Sequence, residues 1–165
     1  MNSNDVPLDY SLILQTMSEG LVVQNESGQI IQFNQSALQI LGLTEDQILG
    51  RTSFDPRWRS IKTDGSAYSG EEHPAMVALR TGQSVSGQVM GLILPNEERR
   101  WIQISSIPTK SAESRIVIST FTDITKHRET EIQLKEAQSI AKIGSWRFDL
   151  RTKTQEWSSE HYRIF

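Results

Sequence analysis

The side chains able to do chemistry in this sequence are few and poorly gathered. Glu71, Glu72 and His73 stand side by side, and carboxylates with an imidazole are metal ligands by type. Adjacent residues seldom converge on one ion, so the trio reads instead as the polar start of a helix, with His73 facing solvent. His127 lies on a charged helical segment, which raises the question of phosphotransfer. The stretch that begins with it, "HRETEI", lacks the "HExxxP"-like pattern of a phosphoacceptor helix, and the residue reads as an exposed helical position. His161 carries no pattern. Asp55 and Asp64 fall among Pro, Gly and Ser, where turn-making accounts for them. The chain has no cysteine, which removes disulfides, thiolate metal sites, a cysteine nucleophile and any cysteinyl adduct. Without a nucleophile elbow or a facing carboxylate pair, a small hydrolase or isomerase has little to stand on.

Composition narrows the partners. The 165 residues hold 36% hydrophobic and 22% charged residues, a globular balance long enough for one domain and something more. A net charge of −3 gives neither nucleic acid nor an anionic membrane a basic face to hold. No apolar run approaches the roughly 20 residues of a membrane span. The opening "MNSNDVPLDY" has no basic and apolar signal pattern, and a cytoplasmic setting is expected.

The elements that must position any site follow from periodicity and punctuation. "DYSLILQTM" (9–17) predicts a short helix, with Asp9 or Ser11 as cap. "GLVVQNESGQIIQFN" (20–34) predicts two strands around a hairpin turn. "QSALQILGL" (35–43) has helical spacing and a terminal Gly, and "TEDQILG" (44–50) another short helix. Residues 51–72 predict a connection with little regular structure. "HPAMVALRTG" (73–82) is a helix with Pro74 at its first position and Gly82 just beyond its end. Strands follow at 84–94, 99–108 and 115–125, and a charged helix from Lys126 to Lys142. The order predicts an α+β fold: an antiparallel sheet with helices gathered on one face.

A displacement of 124 residues sets Gly20 on Gly144, Val22 on Trp146, Phe33 on Trp157, Ile40 on Ile164 and Leu41 on Phe165. The strand–strand–helix pattern of residues 20–41 therefore restarts near the end, as in a tandem array.

The order as a whole resembles the PAS domain family. The segments that carry the likeness are "GLVVQNESGQIIQFNQSALQILGL" with Asn34 opening the helix, "EEHPAMVALRTGQSV", "RRWIQISSIP" and "TFTDIT". The resemblance implies a five-stranded antiparallel sheet cupping short helices, with an N-terminal helix and a C-terminal linker helix. It divides the chain into an N-terminal helix or cap (1–18), a PAS domain (19–125), a linker helix (126–142) and the truncated start of a second PAS domain (143–165).

What the family does is sense and dimerise upstream of effectors, with a sensor histidine kinase expected as parent and a diguanylate cyclase next. Its pocket lies between the sheet and the short helices. Strand alternation in the family register points Met90, Leu92, Ile102, Ile104, Ser106, Val117, Ser119 and Phe121 inward. Flavin photosensors in the family use polar amides on these strands and a helix cysteine. Leu92, Ile102 and Phe121 occupy the matching strand positions, which argues against flavin. Haem would rest on His73, on the helix that supplies a ligand in some members, and its polar first-turn setting argues against that too. The cofactor is left unassigned.

Asp123 and Thr125, the Asp-x-Thr element of the family, are expected to close the last strand, anchor the departing helix and relay sheet movement into it. His127, Thr130, Leu134, Ala137 and Ala141 form a brief seam on that helix, so a homodimer through the N-terminal and linker helices is expected. An effector domain in the same chain and a small-molecule ligand complete the expected partners. The competing reading is a spacer or dimerisation domain with a filled core.

Overall fold

The computed structural model describes residues 10–111, 114–141 and 146–157. They fall into two units, divided between Ile124 and Thr125.

The first unit starts with helix α1 (Tyr10–Thr16) and the hairpin of β1 (Gly20–Gln24) and β2 (Ile30–Phe33). The hairpin turns because the Asn25 side chain accepts hydrogen bonds from the backbone N–H of Ser27 and Gln29 at 3.1 and 3.0 Å. Gly28 takes the left-handed conformation there, and a Cβ on it would collide with the Met76 sulfur. Helices α2 (Gln35–Leu41) and α3 (Glu45–Ile48) follow. Asn34 caps the first, which ends on left-handed Gly42, and Thr44 opens the second with a capping box. After β3 (Arg59–Ile61) and a single 3-10 turn at Gly70–Glu72 comes α4 (Pro74–Thr81). The long strands β4 (Val85–Ile93), β5 (Arg99–Ser111) and β6 (Ser114–Asp123) close the unit.

All the pairings are antiparallel, in the order β2-β1-β6-β5-β4-β3. The sheet therefore has one strand more than the five expected. The additional β3 lies within the stretch that the sequence assigns to an irregular connection. Three residues among Arg, Trp, Lys, Asp and Gly show too little alternation to read as a strand. Pairing against β4, Ser60 opposite Leu92, is what makes it one. β6 also stops two residues short of its expected end, and Thr125 opens the helix instead.

The main core lies between the sheet and α2–α3. Val22, Ile30, Leu38, Leu41, Ile48, Met90, Leu92, Ile102 and Phe121 form one buried cluster. A second, smaller one packs Ala75, Ala78 and Leu79 of α4 on Val117.

The second unit contains α5 (Thr125–Ala141) and the hairpin of β7 (Trp146–Asp149) and β8 (Thr154–Trp157). In the first hairpin Val22 pairs with Phe33 and Val23 with Gln32. In the second, Trp146 pairs with Trp157 and Arg147 with Glu156. Each partner is displaced by the same 124 residues found in the sequence. The first hairpin breaks register after Val23, whereas the second continues without a bulge. Residues 1–9, 112–113, 142–145 and 158–165 lie outside the described residues, and with them Asp9, Lys142, Gly144, His161, Ile164 and Phe165.

Candidate functional site

Between the sheet and the short helices is a cavity of about 70 Å³. Six of the residues expected from strand alternation line it: Met90, Leu92, Ile102, Ile104, Ser119 and Phe121. Their register explains why, since Met90 faces Ile102 and Ile104 faces Phe121 across neighbouring strands.

Ser106 and Val117 are fully buried on the same face but do not reach the cavity. Ser106 Oγ lies 2.8 Å from Ser119 Oγ, pairing the two hydroxyls across β5 and β6. Val117 packs beneath α4 in the smaller cluster. The physical reason is distance along the strands: alternation fixes the face, but α4 covers that end of it. The rest of the lining comes from Val22, Gln24, Ile30 and Ser60 on the other strands of the sheet and from Leu41, Ser53, Trp58, His73, Pro74 and Ala75, all of which strand alternation on β4 to β6 leaves out.

His73 corrects the expectation of a solvent-facing residue. It is buried, its Nε2 is 2.8 Å from Ser60 Oγ, and its ring meets Tyr68 edge-on at 5.5 Å. Glu71 and Glu72 occupy the exposed 3-10 turn, so the polar neighbours that suggested solvent diverge from it. The Ser60 hydroxyl donates to the Tyr68 carbonyl at 2.9 Å, which leaves its oxygen to accept the Nε2–H of a neutral His73.

Burial is the main cause that lowers the His73 pKa from its ordinary 6.5, opposed by the Tyr68 backbone and the charge of Glu72. At pH above 6.5 the ring is neutral whether the chain is folded or not, and the fold keeps its full stability. As the pH falls from 6.5 towards the lower folded value, the unfolded chain binds a proton that the fold disfavours, and stability declines. His73→Gln is expected to flatten the dependence of thermal stability on pH below 6.5. An unchanged slope in the variant would place the acid sensitivity elsewhere.

The loop bearing Ser53 and Trp58 is held by charge. Arg57 Nε donates to Asp55 Oδ1 at 2.8 Å, and Arg51 Nε lies 3.7 Å from Asp55 Oδ2. The hydrogen bonds from Arg57 lead the causes that hold the Asp55 carboxyl down to about 2. The Arg51 guanidinium stacks 4.9 Å above Trp58, although its buried Nε makes no hydrogen bond. Among the described residues no three His, Asp or Glu side chains gather to hold a metal.

The expected relay pair stands where β6 ends. Asp123 is the last residue of β6 and Thr125 the first of α5, with Ile124 alone between them. Ile124 N–H donates to the Trp101 carbonyl on β5 at 2.9 Å, so the junction is paired up to the first helical residue.

The sequence reading misses the partner of Asp123. Arg100 Nε lies 3.3 Å from Asp123 Oδ2, and Arg100 Nη1 donates to the carbonyls of Gln39 and Ile40 at 2.7 and 2.8 Å. The guanidinium thus joins the free C-terminal carbonyls of α2 to the end of β6. Leu41, the next residue of α2, lines the cavity. Alternation contains the signal, since Arg100 shares the face of Ile102 and Ile104.

A curled antiparallel sheet, short helices on its inner face and a small cavity between them define a cup-shaped α+β module. A profile of the PAS domain family matches residues 18–126, and the chain belongs to that family.

Solved structures agree on the fold. The PAS domain of a Colwellia psychrerythraea protein aligns with a TM-score of 0.54 at 17% identity, covering 70% of this chain and 94% of that one. The PAS domain of nitrogen regulation protein NR(II) from Vibrio parahaemolyticus aligns at 0.54 and 12% identity, over 69% and 96% of the two chains. A PAS domain from a two-component sensor histidine kinase gives 0.53 at 12% identity, over 68% and 91%. The search of curated proteins gives no match.

The residues present fit neither cofactor weighed above. About 70 Å³ is roughly half the ~150 Å³ cavity that admits a benzene ring. Leu92, Ile102 and Phe121 offer a flavin ring no amide, and the Nε2 of His73 is already engaged by Ser60.

Proposed function

We propose that this chain is the input module of a multidomain signalling protein, in which the state of the cavity is relayed to α5. The observation that carries the reading is the Arg100 bridge. One side chain grips both the end of a cavity-lining helix and the last residue of the strand that runs into α5. A shift of α2 on its cavity side strains or releases Arg100, and Asp123 feels it within one residue of α5. A ligand drives such a shift only by its differential affinity for the two arrangements.

The parent is a sensor histidine kinase in this reading, with a diguanylate cyclase as the next choice and the cytoplasm as the setting. Likeness to the histidine-kinase PAS domain supports the first choice. Among the described residues no helix is long and apolar enough to cross a membrane. Residues 143–165 begin a second domain of the same kind, a view supported by the matching hairpin register.

Pairing of two copies through α1 and α5 belongs to the same proposal. Tyr10 and Leu12 on α1 and Leu134 on α5 are all more than half exposed, at 74%, 59% and 59%. Sedimentation equilibrium is expected to show a dimer that Leu134→Glu weakens. A monomer at high concentration would remove that part.

The relay itself is tested by Asp123→Asn, which keeps the shape and removes the charge opposite Arg100. Amide hydrogen exchange at residues 125–131 is expected to accelerate several-fold, with the centre of β5 unchanged. If only the end of α2 responds, Arg100 does not reach α5.

A further inference from the structure

Resting on the reading of the cavity as the sensing site, we infer that its input is acid: when the His73 ring takes up a second proton, the wall formed by β3 and the 3-10 turn opens to water. The cavity singles out this residue. Its lining contains no aspartate, glutamate, lysine or arginine, and His73 is the lining side chain that changes charge in the physiological range. The space of about 70 Å³ suits water molecules, each of which needs roughly 10–15 Å³.

The neutral ring is accommodated and the charged ring is not. Among the described residues, Ser60 is the side chain hydrogen-bonded to it, and a hydroxyl balances no charge. The Tyr68 carbonyl favours an imidazolium, but it already accepts the Ser60 hydroxyl at 2.9 Å. Glu72 on the 3-10 turn is the carboxylate whose charge reaches the ring. It accepts instead from Lys62 Nζ at 2.7 Å and from the Ser69 N–H at 3.3 Å. Glu71 beside it is exposed, and its carbonyl accepts from Arg80 of α4. The Tyr68 phenol, which meets the ring edge-on, is pushed further towards its neutral form by burial. Strands β4, β5 and β6 face the cavity with Met90, Leu92, Ile102, Ile104, Ser119 and Phe121, none of them charged. A buried imidazolium here loses its hydration without gaining a counter-ion.

The wall beside the ring is the part of the sheet least able to resist. β3 has three residues, lies at the sheet edge and has β4 as its one neighbouring strand. The Ser60 carbonyl accepts the Tyr68 N–H at 2.9 Å, and the Ser60 hydroxyl ties β3 to His73 at the start of α4. Turning the ring outwards to Glu72 hydrates the charge, replaces Lys62 at that carboxylate and cuts the tie between β3 and α4.

The test is a pH titration of the full 165-residue chain by NMR, downward from neutral. The His73 ring signals are expected to titrate below the ordinary 6.5. The Tyr68 amide and the indole N–H of Trp58, which lines the cavity, are expected to shift with the same midpoint. His73→Gln keeps a donor for Ser60 and cannot take the proton, so the shared step should be lost. Should that variant fail to fold, the wild type decides alone, through coincidence of the ring and wall midpoints. A step that survives in folded His73→Gln would overturn the inference. So would a ring that takes up its proton while the Tyr68 and Trp58 signals stay still. Either result leaves the sensing reading standing, which fails separately if filling the cavity by Leu92→Phe has no effect on α5.

Discussion

Phe121→Ala is expected to destabilise the first unit by about 3–5 kcal/mol, and Phe121→Asp to prevent it from folding. Phe121 is 3% exposed, lines the cavity and belongs to the main core. Its ring also lies over Gly20 on β1, where a Cβ would have no room. Truncation therefore removes a large buried surface and enlarges an existing void, and the neighbouring strands cannot collapse into it without breaking register. Urea denaturation followed by tryptophan fluorescence measures the first variant, and far-ultraviolet circular dichroism the second. A well-folded Phe121→Asp would mean that β6 does not present this residue to the core.

Asn34→Ala is expected to cost about 3 kcal/mol or more, an unusual amount for one polar side chain. Asn34 is 3% exposed, and its amide is fully used. The Oδ1 atom accepts from the N–H groups of Leu21 and Ala37, both at 2.9 Å. The Nδ2 group donates to the carbonyls of Leu14 and Glu19 at 3.0 and 2.9 Å. One residue thereby caps α2, fixes the start of β1 and ties down the end of α1. An ordinary helix cap contributes about 1 kcal/mol; here the other three partners are stranded as well. Equilibrium denaturation is the measurement, and a loss near 1 kcal/mol would reduce Asn34 to a simple cap.

Much of this was legible in the sequence because it is local. The hairpin turn at Asn25, the capping of α2 and the Pro74–Gly82 frame of α4 each depend on residues a few positions apart. Strand alternation likewise located the inward face, including six lining residues of the cavity. It could not say where along that face the cavity ends, because α4 covers Val117 through a contact distant in sequence.

The features that escaped are long-range. β3 exists through its pairing with β4. His73 turns inward because Ser60 and Tyr68 receive it, while its neighbours Glu71 and Glu72 point the reader to solvent. Arg100 reaches carbonyls about 60 residues away in the chain, and its position beside two other charged residues reads as surface. The one clue available was its parity with Ile102.

The relay is the claim from which the functional reading follows, and amide hydrogen exchange over α5 tests it most directly. Three proteins are compared: the wild type, Leu92→Phe with its cavity filled, and Leu92→Phe combined with Arg100→Ala. Filling the cavity is expected to change exchange several-fold at residues 125–131, and removing Arg100 to abolish the change. Exchange in α5 that is identical in the wild type and the filled variant, while the end of α2 responds, would contradict the relay.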